Sequence, residues 1–389
     1  MSTQAKGHVL KTELPSLDPL VAKVALFEHF DVLVGKLPWR PLGNYPTPVH
    51  RLGGYEDLWV KREDLSSPVY GGNKVRTVEG HLGHALHLGH HSIWATGAFG
   101  SNHALCTAIH GTRCGLDVGA ALFAQPPTPT AQANLRALLA VGTRVRALWS
   151  PVSLPIHIAQ LALQPKVSVM TPGGAVPRGA LGHLSAALEL CKQVRAGGCP
   201  NPQTIVLPVG STCTSAGLLL GLQLAGRMGW WPGPVPKLRC VAIGPWPFTS
   251  KTAVLWLSRR TRNTLQQLVG SPLGVSDADL HQGLEVEHAL VGKGYGHPTA
   301  AGQAATEAFE RSAGPALDPV YSAKAAAGLF EASGPTLFWS TKSSASLPDE
   351  RDDGAGPWLM RRWLDKTPLF APALPLQRSY RMLMGHTDD

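Results

Sequence analysis

The stretch "QTIVLPVGSTCTSAGLLLGLQLAG", Gln203 to Gly226, changes its period halfway along. Its first part, to Ser211, is a short apolar run with the look of a buried strand. Its second part, "TSAGLLLGLQLAG", has the apolar body and the length of a helix. A strand that turns at once into a helix is the repeating unit of an α/β fold with parallel strands. The same alternation recurs on both sides. "DLWVKRE" reads as a strand, and the helix after Lys74 sets Val75, Val78, Leu82, Ala85 and Leu86 on one face. "SIWATG" (Ser92 to Gly97) is a strand that runs through "AFGSNHALCTAIHG" into a helix. "DVGAALFA" and "TRVRALW" are strands separated by a helix around Asn134 to Val141, and "LRCVAIG" and "TLFWST" complete the set. No internal repeat occurs, and the proline-rich "AQPPTPTAQ" (Ala124 to Gln132) reads as a loop.

Composition bounds the function. The chain has 389 residues, 44% of them hydrophobic and 16% charged, which suits two or three folded domains rather than a disordered polyelectrolyte. The formal charge of +9 could serve nucleic acid. Lys and Arg are scattered, however, and groups such as "LSRRTRN" (Leu257 to Asn263) are too short for a basic stripe. The expectation is no nucleic-acid partner, with the charge attracting small anions instead. No apolar run is long enough to span a bilayer, and "MSTQAKGHVLKTELPSLDP" lacks the apolar core of a secretory signal. The six cysteines form no C-x-x-C pair, so reduced thiols in a cytoplasmic protein are expected.

Two strand-to-helix junctions carry small polar residues: "TGAFGSNH" (Thr96 to His103) and "PVGSTCTSAGL" (Pro208 to Leu218). Open α/β sheets bind ligands at such junctions, where helix-start N–H groups lack internal partners. An ordinary Ser/Thr-capped helix explains the same residues. A third stretch, "VKREDLSSPVYGGNKVRTVEG" (Val60 to Gly80), places Lys74 after a glycine turn at the mouth of a helix. A lysine and an anion-binding helix start together suggest pyridoxal phosphate held as a lysine Schiff base. That chemistry needs a partly desolvated amine, since burial lowers a lysine's pKa. A solvated helix-start lysine is the plainer alternative.

Seven motifs make the case specific. "PTPVHRL", "VKREDL", "GGNKVRTVE", "GSNH", "GSTCTSAGL", "GYGHP" and "DPVYSAKAAAGL" occur in this order. Together they resemble the family of D-cysteine desulfhydrase and 1-aminocyclopropane-1-carboxylate deaminase, over about Leu37 to Thr341. The resemblance implies pyridoxal 5'-phosphate and the tryptophan-synthase-β-like fold, with two open twisted sheets flanked by helices. A large cofactor-binding domain of residues 1–80 and 165–341 would enclose a small domain of 81–164. Residues 342–389 would be a tail with no assigned role, and a homodimer is implied.

The resemblance also implies roles. Lys74 would be the Schiff-base lysine and the base at the α-carbon. Asn102 would bond the cofactor's phenolic oxygen. Ser101 and the backbone of Asn102 and His103 would receive the substrate carboxylate. Gly210, Ser211, Thr212, Cys213 and Thr214 would hold the phosphate. Tyr295 and Tyr321 would line the substrate side and assist proton transfer. The deaminase branch has a glutamate after the second tyrosine and a leucine in the late strand. Here those positions are Ser322 and Thr341, as in the desulfhydrase branch. The implied reaction is α,β-elimination of D-cysteine to pyruvate, hydrogen sulfide and ammonia. Deamination of the cyclopropane acid or of another amino acid is the alternative.

Two departures keep a third reading open, an inactive homologue that binds a ligand or partner. The family's phosphate loop runs G-x-G-G-T, but here Thr212 and Cys213 stand at the glycines, and β-branched Thr212 suits a positive φ poorly. The late strand of the family ends H-T-G-G, whereas this chain has "STKSS", Ser340 to Ser344. Separately, "HLGHALHLGHH" spaces His84, His87 and His91 along one helix. Two imidazoles one turn apart can hold zinc, but a solvated polar face explains them equally well. No metal is expected. His297, in "GYGHP", is expected to be a loop residue beside Tyr295.

Overall fold

The computed structural model describes residues 20–244, 246–347 and 356–365. Ten strands occur among them: β1 (Val49–Arg51), β2 (Leu58–Lys61), β3 (Ser92–Ala98), β4 (Asp117–Phe123), β5 (Arg144–Leu148), β6 (Val167–Val169), β7 (Thr204–Val209), β8 (Lys237–Ala242), β9 (Leu284–Glu287) and β10 (Thr336–Trp339). They form a six-stranded sheet, β1-β2-β10-β7-β8-β9, and a four-stranded sheet, β5-β4-β3-β6. Every pairing is parallel except the edge pair of β1 and β2. The seven strands read from the sequence are β2, β3, β4, β5, β7, β8 and β10. The additions β1, β6 and β9 are three or four residues long, too short to show a period.

The chain leaves the six-stranded sheet after β2, builds the four-stranded one, and returns at β7. Strand β10 then enters between them, with Thr336 level with Leu58 on one side and Thr204 on the other. Strand β6 pairs with β3, so the smaller sheet continues to Val169, beyond the expected domain boundary at residue 164.

Helix packing brings the site elements together. Val75, Val78, Leu82 and Ala85 of the helix Lys74–His87 are buried as the pattern requires. Leu86 is 37% exposed and does not belong to that face. A Cβ on Gly182 would stand 2.0 Å from the Arg76 carbonyl oxygen, and one on Gly217 would stand 2.1 Å from that of Ala180. The helix Pro177–Arg195 therefore meets both the Lys74 helix and the helix Cys213–Arg227 at backbone distance. Of the tail, residues 348–355 and 366–389 lie outside the described residues, as do the first nineteen residues. The helix Trp358–Leu364 is described, and its Leu359, Met360, Trp363 and Leu364 join the apolar core of the four-stranded sheet. All six cysteines are free thiols.

A buried ionic group ties these elements together. Arg76 donates to Glu63 (2.6 and 2.7 Å) and to Glu189 (2.9 Å), and Lys61 donates to Glu189 and to the Thr47 carbonyl (2.8 Å). Lys61, Glu63, Arg76 and Glu189 are each at most 5% exposed. Burial pushes Glu189's carboxyl up, but Arg76 and Lys61 outweigh it and hold the group below the usual carboxylate range.

One turn further along the helix, Glu79 accepts from the Leu42 and Gly43 N–H groups at 2.8 and 3.0 Å. Burial pushes its carboxyl up from 4.5 to about 7. The folded state thus holds a proton that the unfolded chain releases. The stabilisation from that proton is complete below pH 4.5 and is lost as pH rises through about 7. Glu79→Gln keeps the acceptor and removes the titration. We expect urea melts of the variant at pH 5 and pH 8 to differ less than those of the wild type, by about 3 kcal/mol at most.

Candidate active site

Lys74 opens its helix directly after the Gly71–Gly72–Asn73 turn. Three contacts fix that turn. Asn73 Nδ2 donates to Thr214 Oγ1 at 2.8 Å, the Asn73 N–H donates to the Thr341 carbonyl at 3.2 Å, and the Gly71 N–H donates to Ser343 Oγ at 2.9 Å. A Cβ on Gly72 would stand 2.8 Å from the Thr341 carbonyl oxygen, so "STKSS" packs closely over the turn. Lys74 Nζ is 3.5 Å from Ser211 Oγ, to which it donates. Burial holds its amine below the ordinary lysine range, against a smaller upward pull from the Cys213 and Cys106 thiols. The amine borders the turn Pro172–Gly174. A side chain on Gly173 would collide with Ser211 (2.2 Å) and lie 3.6 Å from Lys74 Nζ.

The loop after β7 carries Gly210 to Thr214. No side chain caps the helix Cys213–Arg227, and its first internal bond runs from the Ala216 N–H to the Thr212 carbonyl (2.8 Å). The N–H groups ahead of Ala216 therefore have no helical acceptor, which is the cradle an anion uses. The Cys213 thiol turns inward and donates to the Gly174 carbonyl at 3.4 Å. Thr214 Oγ1 lies 3.4 Å from His183 Nε2 as well as taking the Asn73 amide.

Thr212 has φ 64° and ψ −15°, the left-handed region. A β-branched residue there is strained by about 1–3 kcal/mol, and glycine would return about 0.5–1 kcal/mol of that as unfolded-chain entropy. We expect Thr212→Gly to stabilise the fold by about 1 kcal/mol in a denaturant melt. Unchanged or lower stability would mean that the threonine side chain makes up for its backbone.

Asn102 begins the helix Asn102–Arg113 after β3. Its Oδ1 accepts from Tyr70 Oη (3.2 Å) and Asn134 Nδ2 (2.8 Å), so both lone-pair directions of the oxygen are taken and the N–H₂ is the end left to donate. Neither Tyr70 nor Asn134 carries a local signal in the sequence. Ser101 is the helix cap: its Oγ accepts from the Ala104 N–H at 3.2 Å, the plainer of its two readings. His103 is buried beside the Gly174 turn, and neither ring nitrogen has a hydrogen-bond partner. Burial, then the charges of Lys74 and His81, hold it well below the usual histidine range.

Tyr295 Oη and Tyr321 Oη are 2.6 Å apart, and the rings meet edge to face at 5.9 Å. Tyr321 packs on the loop after β7, where a Cβ on Gly210 would come within 3.3 Å of its ring. Burial pushes Tyr295 up to about 12 and Tyr321 further. Lys324, buried on the same helix as Tyr321's neighbour Ser322, donates to the Val291 and Gly294 carbonyls (2.7 and 3.0 Å) and pins the Tyr295 loop. Ser322 is engaged elsewhere: its hydroxyl donates to Asp318 Oδ2 at 2.8 Å, in a turn where that carboxylate also accepts from three backbone N–H groups. Thr341 contributes its carbonyl to the Asn73 turn. His297 is half-buried in the loop beside Tyr295. His87 and His91 are exposed, and among the described residues no three His, Cys, Asp or Glu gather as a metal site.

A lowered lysine amine beside a helix start open to an anion is the combination that pyridoxal phosphate requires of a protein. The family model "Pyridoxal-phosphate dependent enzyme" matches residues 41–336, and the chain belongs to that family. It is 33% identical over 328 residues to nocardicin C-9' epimerase of Nocardia uniformis subsp. tsuyamanensis, covering 80% of this chain and 94% of the epimerase. Among solved structures it is similar to an ACC deaminase homologue, at TM-score 0.67 and 25% identity over 82% of this chain and 95% of the other. Threonine deaminase isoform 2 of Solanum lycopersicum shares the fold at TM-score 0.51 and 14% identity, over 90% and 88% of the two chains. The fold is tryptophan-synthase-β-like, and the cofactor is pyridoxal phosphate. The residues suit it: burial lowers the Lys74 amine toward the neutral form a Schiff base needs, and the helix start at Cys213 supplies uncapped N–H groups. No helix among the described residues is long and apolar enough to cross a membrane.

Proposed function

We infer that the chain catalyses α,β-elimination on a small amino acid with a β-leaving group, with D-cysteine as the leading substrate. The observation that carries this reading is Lys74: a half-buried amine with a lowered pKa, on a fixed turn, 3.5 Å from Ser211 in the loop on whose Gly210 Tyr321 packs.

Lys74 Nζ would hold the cofactor's aldehyde carbon, and Asn102's free N–H₂ would bond its phenolic oxygen. The N–H groups of Ser211 to Thr214 and the Ser211 hydroxyl would take the phosphate. When bound, the cofactor draws off the electron pair left at the substrate's α-carbon. Lys74 Nζ, once freed by the substrate amine, would take the α-proton, and the burial that holds its amine below the ordinary lysine range favours the neutral form this needs. The carboxylate is received at the start of the Asn102 helix, and Tyr295 with Tyr321 protonates the departing thiolate. D-cysteine and water then become pyruvate, hydrogen sulfide and ammonia. Ser322 supports elimination over ring opening. A hydroxyl at this position, where the deaminase branch has a glutamate, would leave the cofactor's ring nitrogen without a carboxylate partner, and the weaker electron sink would suffice for a good leaving group.

The epimerase relative supports a second reading, in which Lys74 removes the α-proton and a proton returns to the opposite face. One experiment separates the two. The holoenzyme is given D-cysteine, L-cysteine, D-serine and the cyclopropane acid, and pyruvate, 2-oxobutanoate and deuterium at Cα are measured. Pyruvate from D-cysteine supports elimination. Deuterium exchange with inversion and no keto acid would replace it with epimerisation.

A further inference from the structure

Gln125 has no part in the chemistry above, yet it touches the tyrosine pair. It follows β4 by two residues and is 9% exposed. Its Oε1 accepts from Tyr295 Oη at 3.3 Å. Its carbonyl accepts from Trp363 Nε1 at 2.6 Å, on the C-terminal helix Trp358–Leu364. Trp363 is itself held edge to face on Phe99 at 5.5 Å, and Gln132 Nε2 donates to the Leu364 carbonyl at 3.0 Å. A Cβ on Gly100 would stand 3.1 Å from Gln125 Nε2, so the amide spans from the Ser101 helix start to Tyr295. The neighbouring Pro126 packs on Gly296, where a Cβ would stand 2.9 Å from its ring.

We propose that Gln125 is a positioning residue that sets the direction of the hydrogen bond between Tyr295 and Tyr321, with the C-terminal helix holding it in place through Trp363. An amide oxygen only accepts. The single O–H of Tyr295 is therefore committed to Gln125, and Tyr321 must donate to Tyr295. Tyr295 is then the member that gives up a proton when its O–H turns from Gln125 to the leaving group, and the resulting oxyanion would be met by Tyr321's O–H. Turning the amide over exchanges Oε1 for Nε2, a donor, so one side chain serves both states of Tyr295. Neither glutamate nor leucine can do this. The inference rests on the reading above in that it takes the tyrosine pair as the acid of the site.

The test uses Gln125→Glu, Gln125→Leu and Trp363→Phe, the last keeping an aromatic ring and losing the N–H. Near-ultraviolet difference spectra of the apoproteins at neutral pH identify the Tyr295 band as the one missing in Tyr295→Phe. A carboxylate accepts from the phenol more strongly than an amide oxygen, so the band should move to longer wavelength in Gln125→Glu and, with the acceptor gone, to shorter wavelength in Gln125→Leu. In the holoenzymes Gln125→Glu and Gln125→Leu should lower kcat by about 10-fold with KM within about 2-fold, and Trp363→Phe should show the same effect more weakly. A Tyr295 band unmoved in both Gln125 variants would overturn the proposal, whatever the turnover. A moved band in a protein that does not process amino acids would keep the link to Tyr295 and reject the elimination reading instead.

Discussion

Glu189→Ala should lower the free energy of unfolding by about 3–5 kcal/mol, the cost of leaving buried charges without their partner. Glu189 is the shared acceptor of Lys61 and Arg76, and its Oε1 also takes the Thr47 N–H at 2.9 Å. Removing it strands a lysine at 0% and an arginine at 1% exposure. Arg76 retains Glu63, but Lys61 keeps only the Thr47 carbonyl and Gln193. The effect should reach the site as well, because Arg76 lies two residues from Lys74 on the same helix. Glu189→Gln keeps a shape and an acceptor and should cost less. A denaturant midpoint for Glu189→Ala within experimental error of the wild type would show that the group relaxes or takes in water.

Lys74→Ala should lower kcat by about 10⁴-fold or more, since both the covalent anchor and the base are lost. Stability should scarcely change. The side chain makes one long hydrogen bond, to Ser211, and removing an amine whose charged form is penalised by burial costs the fold little. This split separates a catalytic lysine from a structural one. Added methylamine, whose unprotonated fraction is a small base, should restore part of the turnover, and more of it as pH rises toward the amine's own pKa. A variant that loses stability and activity in proportion would mark Lys74 as structural.

The sequence told most where local chemistry is strong. The strand-to-helix turn at Gly210 to Thr214 could be read from its period change, and the strain at Thr212 from one β-branched side chain at a glycine position; the observed φ of 64° agrees. What could not be read depends on pairing across long separations. Arg76 meets Glu189, 113 residues away, and Tyr295 meets Gln125, 170 residues away. A hint was present for Glu189: an acid set in the apolar run "AALELCKQV" must find a buried cation. Gln125 and Asn134 offered none, since an amide in a loop or helix is usually solvated. Ser322 shows the other limit. Its hydroxyl is held by Asp318, a residue of the same motif, and nothing in the spacing of the two signals that pairing.

The central claim is that Lys74 holds the cofactor, and the most direct measurement is borohydride reduction of the protein supplied with pyridoxal phosphate, followed by peptide mapping. The account predicts a phosphopyridoxyl group on the peptide carrying Lys74, at one per chain, and none on that peptide in Lys74→Ala. Label spread over surface lysines such as Lys192 and Lys237, with Lys74 unmodified, would contradict it.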